Sequence, residues 1–170
     1  SMAGSPALAD LDRNGSIDLI FVTLSGMLYA VDQSGADLPG FPVNVGVNFN
    51  CPPLVADLDA DDQYEVLLHS YVNSVYIYNH DGSSVEGYPF ITSYNGATPA
   101  SLVDFDDNGY FKLVSGYSTG VMMVNLRRPA SDMTPWVTYR GELKRQGSYA
   151  ATGYVANDDA ANVPLVQRLY

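Results

Sequence analysis

The chain has 170 residues, 46% of them hydrophobic, which is enough apolar material for a sizeable core and excludes wholesale disorder. Its 19 acidic residues against 8 basic ones give a formal charge of −11, a surface that phosphate backbones repel, so nucleic acid is excluded as the expected partner. No apolar run reaches the ~18 residues of a membrane span.

Taken in chain order, the pattern is β throughout. Ser1 and Met2 read as a cloning remnant and are set aside from the fold. "PALADLD" (6–12) is a short apolar segment that runs into an acidic loop. "IDLIFVTL" (17–24) is nearly continuously apolar and β-branched, as in a strand buried on both faces. Gly26 marks a turn, and "MLYAVD" (27–32) alternates as a third strand. "QSGADLPGFPV" (33–43) has the glycine and proline content of a loop leading to an edge strand. No 11-residue window has helical periodicity.

The whole unit then recurs. "ADLDRNGSIDLIF" at Ala9 matches "ADLDADDQYEVLL" at Ala56 and "VDFDDNGYFKLVS" at Val103, with Asp10, Asp57 and Asp104 each 47 residues apart. "GMLYAVDQSG" aligns with "NSVYIYNHDG", and "PGFPV" with "EGYPF". A period near 47 belongs to propellers, solenoids and arrays. Four short strands per ~45 residues is the signature of a propeller blade. The expected fold is therefore all-β, with three propeller-type blades of about four antiparallel strands. They span 3–46, 47–93 and 94–141, the last with a closing strand, and a tail spans 142–170. In the third copy "GVMMVNL" (120–126) is the third strand and "RRPASDM" replaces the expected turn.

The acidic loop reads Asp10-x-Asp12-x-Asn14-Gly15-x-x-Asp18. Side chains at loop positions 1, 3, 5 and 9, with a backbone carbonyl near position 7 at Ser16, can converge on one point if the backbone curls. Glycine at position 6 permits the sharp turn. An all-oxygen site of this type suits a hard, flexibly coordinated cation, Ca²⁺ rather than zinc or Mg²⁺. An EF-hand is excluded because its position 12 would be Phe21, inside a strand. The second copy offers Asp57, Asp59, Asp61, Gln63 and Glu65, with Asp62 in place of the glycine and a strained turn expected. The third offers Asp104, Asp106 and Asn108 with Gly109, but its position 9 is Lys112. Either that site binds weakly with water in the gap, or the Lys112 ammonium substitutes for the ion. Loss or weakening is the favoured expectation, leaving two Ca²⁺ sites.

Asp-x-Asp-x-Asn-Gly-x-x-Asp between two strands, preceded by "SPALADLD" and repeated per blade, resembles the FG-GAP/VCBS repeats of integrin-like β-propellers. The resemblance covers roughly 5–141. It implies Ca²⁺ held between adjacent strands of each blade. "PWVTYRGELKRQGSY" (135–149) is similar to the segment that closes such propellers in secreted bacterial proteins. The tail resembles a linker before a sorting module. Together they imply an exported bacterial parent and an extracellular or cell-surface location.

Three blades do not close a ring, since closed propellers use ~4–8. Self-association, a larger parent propeller and an open array capped by the tail all stay open. No nucleophile–base–acid set is readable, so no enzymatic activity is expected. The leading expectation is a calcium-stabilised interaction module recognising an extracellular protein or glycan. The alternatives are a lectin-like accessory domain, with Tyr71, Tyr76, Tyr78, Tyr88, Tyr94 and Tyr117 as stacking faces, and an appendage of a secreted hydrolase. Trp136, Tyr139 and Arg140 are candidate ligand-binding residues, with anchoring of the closing strand as the competing role for Trp136. Cys51, the single cysteine, reads as a small buried hydrophobe. His69 and His80 read as packed or surface residues.

Overall fold

The computed structural model describes residues 1–131 apart from 94, 96 and 97, together with 136–138. It is all-β, with no helix among the described residues. The strands are β1 (Ala7–Ala9), β2 (Asp18–Val22), β3 (Met27–Val31), β4 (Val43–Asn44), β5 (Leu54–Ala56), β6 (Glu65–His69), β7 (Ser74–Tyr78), β8 (Phe90–Ile91), β9 (Ser101–Val103), β10 (Tyr110–Tyr117) and β11 (Gly120–Pro129). They form three antiparallel sheets in the orders β1-β2-β3-β4, β5-β6-β7-β8 and β11-β10-β9, none of them closed.

The period seen in the sequence is also the period of the register. Ala7 lies opposite Ile20, Leu54 opposite Leu67, and Ser101 opposite Val114. Each pair is the previous one moved along by a full repeat. The Phe41–Pro42 and Tyr88–Pro89 peptides, also one repeat apart, are both cis.

Strand alternation sends each sheet's two faces to different neighbours. Val55, Val66, Leu68 and Tyr78 join one core with Ala7, Ile20, Val22 and Leu28 of the first sheet. Leu54, Leu67, Val75 and Ile77 join a second core with Leu102, Phe111 and Leu113 of the third. The second sheet is thus the middle layer. This corrects one expectation. It is β6, not β2, that is buried on both faces, because only β6 has a sheet on either side. In β2, Asp18, Ile20 and Val22 are buried, whereas Leu19 and Phe21 are half-buried and Phe21 stacks on Tyr29.

Three further differences follow from tertiary pairing. Ser1 and Met2 belong to the first sheet: Leu24 donates its N–H to the Ser1 carbonyl at 3.0 Å, Met2 pairs with Thr23, and Ala3 donates to Val22 at 2.8 Å. The third sheet has three strands among the described residues, because β11 runs through Arg127 and Arg128 to Pro129 instead of turning after Leu126. Residues 136–138 lie between the first strands of two sheets. Trp136 exchanges backbone hydrogen bonds with Val55 of β5 at 2.8 and 3.1 Å, and the Val137 carbonyl accepts from Leu102 of β9 at 2.8 Å.

Candidate metal centre

Each acidic loop joins the first two strands of a sheet, and the register fixes its mouth. Ala9 pairs with Asp18, Ala56 with Glu65 and Val103 with Lys112. The residue before position 1 therefore faces position 9, which starts the second strand in the first two sheets and is the third residue of β10 in the third; in the first sheet its side chain shares the face of Ile20. That places Asp18 (0% exposed) and Glu65 (2% exposed) inside the fold, which is unusual for carboxylates.

The three loops share one backbone. Position 4 is left-handed in all of them, at Arg13 (φ 60°), Ala60 (63°) and Asp107 (52°). So is position 6, at Gly15 (87°), Asp62 (67°) and Gly109 (79°). Asp62 takes a glycine conformation, which bears out the expected strain in that turn.

In the first loop the Asp10, Asp12 and Asp18 carboxylates each offer an oxygen within 4.8 Å of the others. Asp10 Oδ2 accepts from the Gly15 N–H at 2.9 Å, and Asp18 Oδ2 accepts from Leu11 at 2.8 Å. Asn14 Nδ2 donates to Asp12 at 2.9 Å, while Asn14 Oδ1 accepts from Ser16 N–H at 2.8 Å. The second oxygens, Asp10 Oδ1 and Asp18 Oδ1, are buried with no hydrogen-bond partner. Burial, then the Asp12 and Asp10 charges, raises the Asp18 pKa.

In the second loop Asp57, Asp59 and Asp61 likewise bring oxygens within 4.8 Å. Glu65 Oε2 accepts from Leu58 N–H at 2.6 Å, and Asp61 Oδ1 from Gln63 N–H at 2.8 Å. Asp57 Oδ1 accepts from Ala60 at 2.7 Å. Burial, reinforced by Asp59, Asp61 and Asp57, pushes the Glu65 carboxyl up to about 8. Asp59 is raised by burial and by the Asp61 and Asp57 charges. Both loops thus crowd carboxylates together, with Asp18, Asp59 and Glu65 held towards the protonated form, and both could hold a metal ion.

The third loop repeats three of the first loop's hydrogen bonds. Gly109 N–H donates to Asp104 Oδ2 at 2.7 Å, Asn108 Nδ2 to Asp106 at 3.0 Å, and Tyr110 N–H to Asn108 Oδ1 at 3.1 Å. Into it comes Lys112, 4% exposed. Its Nζ donates to Asp106 Oδ1, to Asn108 Oδ1 at 2.6 Å and to the Tyr110 carbonyl at 3.1 Å, and lies 3.7 Å from Asp104. Those groups are positions 3, 5, 7 and 1. Of the two outcomes expected for this loop, the ammonium takes the place where the oxygens converge. The Asp104 carboxyl responds: its burial is outweighed by the Gly109 and Asn108 N–H groups and by Lys112, so its pKa is lowered. The Tyr110 carbonyl, which accepts from Lys112, is a position-7 oxygen directed at the centre, the role expected of the Ser16 and Gln63 carbonyls.

The remaining candidates fall elsewhere. Trp136 is 3% exposed in the core between the first two sheets, leaving no open face for a ligand. Tyr139, Arg140 and Tyr94 lie outside the described residues. Tyr78 is buried, Tyr76 packs edge-on to Phe49, and Tyr88 packs on Phe90 beneath Arg128. Tyr117 is half-buried and Tyr71 is 53% exposed. Cys51 is buried, and burial pushes its thiol up to about 11, so it is an inert packed side chain. His69 is buried with neither nitrogen hydrogen-bonded, and burial lowers its pKa.

Sequence reasoning missed two features. The position-2 N–H groups of Leu11 and Leu58 orient the position-9 carboxylates, a contact that only the hairpin register reveals. Arg13 reaches out of the first loop to the second, donating to the Asp62 carbonyl and lying 5.9 Å from the Tyr64 ring centre. No helix among the described residues is long and apolar enough to cross a membrane. No family model matches the chain, and no curated protein matches it.

Proposed function

We propose that this protein is a calcium-stabilised, non-catalytic interaction module of the FG-GAP/VCBS propeller type, with one Ca²⁺ in each of its first two loops. The observation that carries the reading is the pair of buried, unpartnered oxygens, Asp10 Oδ1 and Asp18 Oδ1, in the first loop. A buried carboxylate oxygen without a partner is costly, and a hard cation is the partner that three carboxylates, an amide and a carbonyl would jointly satisfy. The cation would be held by Asp10, Asp12, Asn14, Ser16 and Asp18 in one loop, and by Asp57, Asp59, Asp61, Gln63 and Glu65 in the other. The ammonium of Lys112 at the same point of the third loop supports a cation at that position. Bound there, Ca²⁺ clamps the first two strands of a sheet together and stabilises the folded state through linkage.

The repeated register and the three stacked sheets support blades of a propeller, closed in a larger ring or by self-association. A calcium-dependent scaffold suits an extracellular or cell-surface setting, and its partner is read as a protein. Of the tyrosines that a glycan reading needs, Tyr76, Tyr78 and Tyr88 are engaged in packing, which disfavours the lectin-like alternative. The test is a thermal melt of the EDTA-stripped protein against Ca²⁺, with Mg²⁺ as control. The expected result is an upward shift with Ca²⁺, about 2.7 kcal/mol of stabilisation per site at a hundredfold excess over Kd, and little with Mg²⁺. A folded, metal-free protein whose melt ignores Ca²⁺ would refute the cation reading.

A further inference from the structure

The two loops that can hold an ion are joined by Arg13, and we infer that this joint couples them, so that filling either site tightens the other. The inference rests on the cation reading above.

Arg13 occupies position 4 of the first loop, between the ligand residues Asp12 and Asn14. Its guanidinium donates to the Asp62 carbonyl of the second loop. The other side of that same peptide unit is the Gln63 N–H, which donates to the ligand Asp61 at 2.8 Å. One peptide plane is therefore held at its oxygen by Arg13 and at its nitrogen by an ion ligand. Arg13 also lies 5.9 Å from the ring centre of Tyr64, the residue before the ligand Glu65. An ion in the first loop fixes the backbone from which Arg13 projects. That in turn fixes the 62–63 peptide, and with it Asp61. The reverse holds equally, because coupling between sites is reciprocal.

The physical basis is ordering. Each metal-free loop carries several carboxylates that repel, and binding must overcome both the repulsion and the conformational freedom it gives the loop. Where a first ion has ordered a shared element, the second binding event costs less. The joint stops at the second loop. The position-4 side chain there is Ala60, too short to reach the third, and the third loop has its own ammonium.

The test is calorimetric titration with Ca²⁺ of the full chain and of Asp12→Ala, Asp61→Ala and Arg13→Ala variants, alone and combined. Asp12, Asp61 and Arg13 are all exposed, so truncation leaves the cores intact. Asp12→Ala leaves only the second site and Asp61→Ala only the first. The product of the two wild-type association constants should exceed the product of the single-site constants by ~5-fold or more. With Arg13→Ala throughout, the two products should agree. Arg13→Lys separates geometry from charge. It keeps the cation but not the planar fork, and should lose the coupling as Arg13→Ala does. Two ions bound with equal products in the Arg13-containing proteins would overturn the coupling and leave the cation reading standing. No uptake by the folded wild type would overturn both.

Discussion

The first and third acidic turns are the same structure with a different answer at position 9. Both place a left-handed residue at positions 4 and 6, both bond the position-6 N–H to the position-1 carboxylate, and both lock an asparagine amide onto the position-3 aspartate. In the first turn the position-9 side chain is Asp18, which adds a charge and leaves an oxygen unpartnered. In the third it is Lys112, which removes the deficit from within the chain. The geometry of the turn is therefore set by its backbone and short polar side chains. Whether the turn's carboxylates meet a cation from within the chain is set by one residue. The second turn stands with the first, its Glu65 buried and raised to about 8 where Lys112 lies in the third.

The largest effect should come from exchanging that residue. Lys112→Met removes the internal cation and leaves Asp104 and Asp106 facing one another. Breaking a buried pair costs ~3–5 kcal/mol, and the half-exposed Asp106 brings the expected loss down to about 2–3 kcal/mol. Lys112→Asp makes the third turn match the first at every ligand position. It should lose at least as much in chelator, regain it in Ca²⁺, and take up one ion more than the wild type. Denaturant melts with and without Ca²⁺ measure the first, and equilibrium dialysis measures the second. A Lys112→Met protein as stable as wild type would mean that the ammonium holds nothing together.

Next in size is a pH slope in metal-free protein. The folded Glu65 carboxyl titrates near 8 and the unfolded one near 4.5, so between these values the folded state holds the extra proton. Stability contributed by that proton is complete below pH 4.5 and is lost as pH rises through 8. Burial also lowers the His69 pKa, and its contribution is lost in the opposite direction, as pH falls below 6.5. Between pH 6.5 and 8 the slope belongs to the carboxylates, since the raised Cys51 thiol and Tyr78 hydroxyl act only at higher pH. From pH 6.5 to 8 Glu65 alone should cost the stripped protein about 1.5 kcal/mol. Glu65→Gln should flatten that slope, and saturating Ca²⁺ should abolish it by keeping the group ionised. A stripped wild-type protein that is flat or gains stability over this range would contradict the burial of Glu65.

These contrasts also show what the sequence makes legible. The repeat, the strands and the gathering of the acidic side chains follow from the spacing of Asp10, Asp57 and Asp104 and from local turn chemistry, both of which are properties of nearby residues. The apolar runs of β2 and β6 are alike in sequence, and only the stacking order leaves β2 covered on one face and β6 on both. For Lys112 the sequence left two outcomes, since a long side chain can turn out to solvent or back into its own loop. Four oxygens converging near its base decide for the loop. Arg13 and residues 136–138 act across 49 residues and across sheets, where spacing within a repeat carries no information.

The smallest expected effect concerns position 6, where the second turn has a side chain and the other two have glycine. Asp62 holds φ at 67°, where Gly15 and Gly109 stand in the neighbouring copies. A left-handed conformation costs a side-chain-bearing residue ~1–2 kcal/mol, less for aspartate, which tolerates it. Glycine relieves that cost but gains freedom in the unfolded chain, an opposing term of ~0.5–1 kcal/mol. Asp62→Gly should therefore be stabilising by only about 0.5 kcal/mol. It should leave the cation sites untouched, because the Asp62 contribution to the joint with Arg13 is its backbone carbonyl. Denaturant midpoints with and without Ca²⁺ would show the same small gain in both. A loss exceeding 1 kcal/mol, or a gain present only without Ca²⁺, would show that the Asp62 carboxylate takes part in the cage, at a position where the glycine of the other two turns offers no side chain.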